Sequence, residues 1–128
     1  MTDELKIIDE SQLEALRELN EPGEDDIVTE LIDIFISHSP PTLVALKESI
    51  QKQDRQDINK LAHKLKGSCS NLGAETMRSL CQHLEENAES LPWEEIEKQS
   101  GEIEKAYNQV VELLENKWRK PCGLVKSG

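Results

Sequence analysis

The sequence predicts an all-α protein, an antiparallel up-and-down four-helix bundle with an accessory short N-terminal helix. Its 128 residues suffice for one hydrophobic core and are too few for two. Charged residues make up 32% of the chain and aromatic residues only 3%, a balance that favours helices packed through aliphatic side chains. Apolar residues recur every three to four positions in successive segments, and short polar connections between these segments favour antiparallel neighbours.

The first predicted helix is short. Ser11 and Glu14 have the spacing of a capping box, so we expect the helix to begin at Ser11. Residues 20–23, NEPG, predict its end. Its apolar stripe consists of Leu13, Leu16 and Leu19.

The second predicted helix begins in the acidic residues 24–26, which suit a first helical turn, and runs to about His38. Pro40 and Pro41 follow. Because proline lacks a backbone donor, we expect a break or a sharp kink there, with a helical segment continuing to Ile50. The apolar residues of the two segments are Ile27, Leu31, Ile34, Phe35, Leu43, Leu46 and Ile50.

Three further helices complete the predicted bundle. The first is capped by Asp57 and ended by Gly73, the second lies between Gly73 and Pro92, and the third follows Pro92. We expect the bundle to occupy residues 1–118 and residues 119–128 to form a flexible tail. The apolar residues of the three helices include Ile58, Leu61, Leu65, Leu72, Met77, Leu80, Leu84, Ile96, Ile103, Val110 and Leu114.

Composition also excludes several functions. The net charge of −11 argues against nucleic acid, whose recognition requires a surplus of lysine and arginine. No stretch approaches the roughly 20 apolar residues of a membrane span, so we expect a soluble, cytoplasmic protein without a membrane partner. Cys69, Cys81 and Cys122 lack zinc-site spacing, and the first two fall in apolar stripes, so we expect structural burial and no metal site.

His63 is the candidate reactive residue. It lies about 150° around its helix from Leu65, the centre of the apolar stripe, so we expect its imidazole to face water. Gly67 follows one turn later on the same face, although glycine inside a helix costs about 1 kcal/mol relative to alanine. The missing side chain would let another protein approach the ring closely. An idle surface histidine and a neutral glycine are the alternatives.

The charge near His63 differs from that of the rest of the chain. Residues 54–78 carry a net charge of +2, whereas residues 84–116 carry −8. A solvated helix face would explain isolated lysines. The lysines near His63, however, accompany an exposed imidazole, which is a good nucleophile toward phosphorus. Together the residues predict a phosphate-handling surface, in which Lys66 is near enough to bind a phosphoryl group. The other nearby lysines are Lys60 and Lys64.

Residues 61–68, LAHKLKGS, and 71–74, NLGA, resemble the A-H-x-L-K-G-S-x-x-x-L-G-A signature of histidine-containing phosphotransfer (HPt) domains. The resemblance extends from about residue 7 to residue 114. It implies a four-helix bundle in which His63 is phosphorylated on Nε2, Lys66 lies near the phosphoryl group and Gly67 gives access. By alignment, Glu85 lies where other members use a polar side chain to orient the histidine. The remaining residues expected around the phosphoryl group or the docking surface are Lys60, Lys64, Ser68 and Gln82.

The resemblance further implies a phosphoryl carrier rather than an enzyme, since such domains neither bind ATP nor phosphorylate themselves. It implies a multistep two-component phosphorelay, with donor and acceptor aspartates on response-regulator receiver domains and a (hybrid) sensor histidine kinase upstream. We expect no cofactor on this chain, because Mg²⁺ belongs to the partner receiver. We also expect a monomeric, freestanding protein.

Two alternatives remain at this level. The first is an interaction or scaffold module that binds receivers without taking a phosphoryl group, against which the intact His63, Lys66 and Gly67 argue. The second is a domain of the chemotaxis-kinase type, which a kinase core phosphorylates directly and which shares a similar H-x-x-K-G motif.

Overall fold

The computed structural model describes residues 6–120, which contain no strand, and the prediction of an all-α fold is confirmed. Successive long helices pack against one another, and the first of the four long helices also contacts the last, so that four helices enclose one core. The short first helix packs against the second. The elements are α1 (Glu10–Arg17), α2 (Ile27–Gln51), α3 (Arg55–Leu72), α4 (Glu75–Asn87), α5 (Trp93–Leu113) and a π-helical turn (Leu114–Trp118).

Aliphatic side chains from every helix fill the core, as the apolar stripes predict. Cys69 and Cys81 are fully buried within it, as expected. A hydrogen bond with the thiol of Cys69, together with burial, raises the pKa of Cys81 and so disfavours the reactive thiolate of Cys81. Cys122 lies outside the described residues. Fully buried core residues include Leu13, Ile32, Leu46, Ile58, Leu65, Leu72, Met77, Leu84, Ile96 and Ile103.

Two helices begin earlier than the sequence predicts. The carboxylate of Asp9 accepts a hydrogen bond from the backbone N–H of Ser11 (3.2 Å), so Asp9 caps α1. Asp54 caps α3 in the same way through the N–H of Asp57 (3.1 Å). The predicted caps Ser11 and Asp57 are therefore wrong. Asp57 instead lies inside the first turn of α3, where its carboxylate accepts a hydrogen bond from Ser49 of α2.

Of the break or sharp kink predicted at Pro40 and Pro41, the break is wrong, because α2 continues through both residues. Both prolines face solvent, while the apolar residues before and after them stay on one stripe and pack into the same core. This packing holds the helix together despite the missing backbone donors. Asp26 caps the helix through the N–H of Thr29 (3.0 Å), so residues 24 and 25 precede it.

The predicted C-terminal end of α3 and the predicted start of α5 are confirmed. Gly73 follows α3 with φ of +70°, a left-handed conformation that glycine adopts without strain. Pro92 precedes α5, whose first residue is Trp93. No helix within residues 6–120 is long and apolar enough to cross a membrane.

The C-terminal end of the described chain contacts the bundle. Trp118 is 6% exposed and lies under the guanidinium of Arg17, 5.3 Å from the ring centroid. Arg119, where the sequence predicts a flexible tail to begin, forms an ion pair with Asp33 of α2 (2.6 Å). The N–H of Lys120 donates to the hydroxyl of Thr29 (3.0 Å). The remainder of the predicted tail, residues 121–128, lies outside the described residues.

Candidate functional site

His63 lies in the middle of α3, and its side chain is 68% exposed. Ala62 and Leu65, on the opposite face of the helix, are buried in the core. The buried stripe therefore fixes the direction of His63, and the predicted exposure of the imidazole is confirmed.

Glu85 of α4 binds one nitrogen of this imidazole. Its Oε2 lies 2.9 Å from Nδ1 of His63, and its side chain is only 20% exposed. Asn59 of α3 donates a hydrogen bond to the backbone carbonyl of Glu85 (2.7 Å), which helps to hold α4 in register with α3. Because an ionised carboxylate can only accept, Nδ1 is the donor and Nε2 carries the lone pair.

Lys66 binds the other oxygen of the same carboxylate. Its Nζ lies 2.9 Å from Oε1 of Glu85. The Lys66 ammonium, and to a smaller extent the hydrogen bond with His63, holds the pKa of Glu85 below its usual range. One carboxylate therefore links the ring and the lysine, and Lys66 lies beside the imidazole with its charge already partnered.

Gly67 leaves open space next to this cluster. A Cβ at position 67 would meet no heavy atom within 4 Å, and the backbone is helical. Neither positive φ nor internal crowding therefore requires a glycine here. The open position leaves room for a partner to approach the imidazole closely, at the helix-forming cost of a glycine.

The other predicted site residues surround the cluster without completing it. Lys60 and Lys64 are exposed on α3. The hydroxyl of Ser68 donates weakly to the backbone carbonyl of Lys64 (3.4 Å). The side chain of Gln82 forms hydrogen bonds along α4, accepting from Arg78 (3.0 Å) and donating to Glu86 (3.0 Å).

Ile34 is a surface residue that the predicted apolar stripe of α2 wrongly includes. It is 50% exposed. Together with Leu31, it lines a shallow depression that also includes Ser68 and Asn71 of α3. A signal existed in the sequence, since Val28, Ile32 and Phe35 fall on one stripe of α2 and Ile34 lies about 120° around the helix from Val28.

Within the part of the chain that the structure describes, no group of three or more His, Cys, Asp or Glu side chains is placed to hold a metal ion. His83 has its Nδ1 3.1 Å from the side-chain oxygen of Gln99.

Comparison with known proteins identifies the family. The model of the Hpt domain matches residues 30–116, which contain the whole cluster around His63. The sensor protein TorS of Escherichia coli (strain K12) is 35% identical over 79 residues, which cover 60% of this chain and 9% of TorS. Histidine-containing phosphotransfer protein 5 of Arabidopsis thaliana is 28% identical over 75 residues, and the chain spans 48% of its length.

A solved structure supports the same assignment. The crystal structure of histidine-containing phosphotransfer protein B (HptB) from Pseudomonas aeruginosa PAO1 has a TM-score of 0.78 and 28% sequence identity to this chain. The similarity covers 87% of this chain and 93% of HptB. Since the family model matches more than half of the chain and the similarity to HptB covers most of it, the chain belongs to the Hpt domain family of histidine-containing phosphotransfer proteins.

Proposed function

We propose that His63 accepts a phosphoryl group from the phospho-aspartate of a receiver domain and passes it to an aspartate of another receiver. One observation carries the proposal: an exposed imidazole whose Nδ1 is bound by Glu85, so that its nucleophilic Nε2 is free beside the open position at Gly67.

The transfer follows from this geometry. A receiver that docks over α3 excludes water and aligns Nε2, phosphorus and the aspartate oxygen for in-line displacement. The N–P bond forms as the P–O bond to the aspartate breaks, and the reverse reaction passes through the same arrangement. Lys66 lies close enough to move from Glu85 toward the phosphoryl group and stabilise its charge.

The neighbouring surface suits such a partner. Ile34 and Leu31 offer an apolar contact beside the transfer site, while Lys60 and Lys64 offer positive charge to the acidic pocket of a receiver. Mg²⁺ is then bound by the receiver and this chain binds no cofactor. The proposal includes a cytoplasmic location, a monomeric chain and a (hybrid) sensor histidine kinase upstream.

The test is a transfer assay with a purified, labelled phospho-receiver, Mg²⁺ and either the wild type or His63→Gln. We expect acid-labile label on the wild type only, and its return when unphosphorylated receiver is added. The variant should fold normally, because an exposed polar replacement removes no core contact. Label on His63→Gln would remove His63 from the mechanism.

The same assay separates the two alternatives. Binding of several cognate receivers without labelling would favour the scaffold function. Labelling that requires ATP and a kinase core, but never occurs from a phospho-receiver, would favour the chemotaxis-kinase type.

A further inference from the structure

We propose that the C-terminal segment of residues 121–128 docks over the depression between α2 and α3 and competes there with a receiver domain. Its apolar pair, Leu124 and Val125, covers Leu31 and Ile34 of α2. The competition rests on the proposed function, in which these two residues of α2 contact the receiver beside the transfer site. The segment itself lies outside the described residues.

The depression is an apolar surface that is open to solvent. Ile34 is 50% exposed at this position, and the buried Phe35 and Leu72 also line it. The surface is shallow and small, so it suits two side chains of an extended segment better than the face of a whole helix. Covering it removes apolar area from water, which favours docking.

The described chain ends beside this surface. Nη1 of Arg119 forms an ion pair with Oδ1 of Asp33 (2.6 Å), and the N–H of Lys120 donates to Oγ1 of Thr29 (3.0 Å). Asp33 directly precedes Ile34 in α2. The two contacts therefore place the backbone at residue 120 on the outer face of α2, close to the depression.

The residues after Lys120 are long enough to reach the depression. Thr29 and Ile34 are five positions apart, about 7.5 Å along a helix axis and about 140° around it, so the path over the helix surface is roughly 15 Å. The five residues that follow Lys120 span at most about 17 Å when extended. Leu124 and Val125 are the fourth and fifth of these residues, so both can lie over Ile34 without any movement of the bundle.

The chemistry of the segment matches the surface that it crosses. Glu30 is exposed on α2, and its position around the helix lies between those of Thr29 and Ile34. Lys126 directly follows the apolar pair, so a segment whose pair covers Ile34 brings a positive charge to the side of α2 that carries Glu30. Apolar and charged groups of the segment therefore both have complements on this face.

Docking of the segment limits the access of a receiver to the same surface. The apparent affinity for the receiver falls by the fraction of chains in which the surface is open, so a surface that is open in one chain of five binds about fivefold more weakly. The segment is therefore a built-in competitor, which admits only receivers that bind strongly enough to displace it.

The experiment places a spin label near the end of the segment and measures by NMR which backbone amides it broadens. Ser127→Cys in a Cys122→Ser background supplies the labelling site, because Cys69 and Cys81 are fully buried. The bundle itself is unchanged.

Two further chains carry the same label. The test variant adds Leu124→Ser and Val125→Ser, which remove the apolar pair without changing the charge. The matched control adds Pro121→Ser and Gly123→Ser, which change two residues of the segment and keep the apolar pair.

We expect the label to broaden the amides of Ile34 and Asn71, which line the depression from α2 and from α3. The broadening should weaken in the test variant and persist in the control. Equal broadening in these two chains would overturn the proposal, because the apolar pair would then not hold the segment. Equal broadening of a ¹⁵N-labelled chain by a separate spin-labelled chain would also overturn it, because a second copy would then supply the segment.

Calorimetry then measures binding of the receiver that is used in the transfer assay. Replacing Leu124 and Val125 by serine should raise the affinity about fivefold, whereas the control should bind as the wild type does. An unchanged affinity in the test variant would overturn the competition. If no receiver phosphorylates the wild type on His63, the proposed function fails instead, and the broadening of Ile34 still decides whether the segment docks.

Discussion

A Cβ at position 67 would meet no heavy atom within 4 Å among residues 6–120. We predict that Gly67→Leu folds with equal or greater stability, by up to about 1 kcal/mol, because glycine is a poor helix former. Phosphoryl transfer should nevertheless fall about 100-fold, because the new side chain would displace the partner from the imidazole. Urea unfolding and the receiver transfer assay measure the two effects.

Gly101 provides a matched control. It also lies inside a helix with open space at its Cβ position, but on α5 rather than beside His63. Gly101→Leu should therefore match Gly67→Leu in stability while transferring at the wild-type rate. If Gly67→Leu and Gly101→Leu transfer at equal rates, the glycine at position 67 does not serve to let a partner approach the imidazole.

Asp26 gives a prediction for pH dependence. It caps α2, and its carboxylate, 9% exposed, forms an ion pair with Arg17 (2.6 Å) that holds its pKa well below the usual range. Asp26→Asn keeps a capping side chain but loses the charge, and we expect it to lower the free energy of unfolding by about 2 kcal/mol at pH 7.

The direction of this pH dependence follows from the lowered pKa of Asp26. The contribution of Asp26 is fully present above the pKa of an unfolded aspartate, about 3.9, and is lost as the pH falls toward the folded value. Wild type and Asp26→Asn should therefore differ most near pH 7, and the difference should shrink progressively between about pH 5 and pH 1. A difference that stays constant from pH 7 to pH 2.5 would show that the charge of Asp26 does not stabilise the fold.

At the scale of the helices, the apolar stripes predicted which segments are helical, but they could not locate every end. Asp9 and Ser11 are both good caps, and only the structure shows that the N–H of Asp9 donates to the carbonyl of Gly73 (2.7 Å), which fixes where the chain turns. Likewise, Asp57 is drawn into a contact with Ser49 of α2. Such choices depend on neighbouring helices, which a local pattern does not contain.

Arg55 connects one end of α3 to the connection between α4 and α5. Its Nη1 donates to the carbonyls of Ala88 and Leu91 (2.8 Å each), and its guanidinium lies 4.1 Å from the ring centroid of Trp93. We predict that Arg55→Ala lowers the free energy of unfolding by about 2–3 kcal/mol, since two charge-assisted hydrogen bonds and a cation–π contact are lost.

Arg55→Lys should recover less than half of this loss, because an ammonium cannot reproduce the planar fork of the guanidinium. Urea unfolding measures both variants, and the transfer rate of the folded proteins should be unchanged. An Arg55→Lys variant as stable as wild type would show that charge alone, rather than the geometry of the guanidinium, stabilises the contact between α3 and the α4–α5 connection.

At the scale of the whole molecule, the sequence predicts those features of the site that lie on α3 alone. The exposure of His63 and the open position at Gly67 both follow from the periodicity of α3. The carboxylate of Glu85 that links His63 to Lys66 depends on the register between α3 and α4, and so it could be assigned only by resemblance.

Three histidines are present, and they occupy different parts of the bundle. His38 lies on α2, His63 on α3 beside Glu85, and His83 on α4 beside Gln99. The central claim therefore has a direct measurement: long-range ¹H–¹⁵N NMR of the ¹⁵N-histidine-labelled chain before and after phosphorylation by a receiver. We predict a ³¹P-coupled change at Nε2 of His63 alone. A phosphoryl group on His38, on His83 or on Nδ1 of His63 would contradict the account.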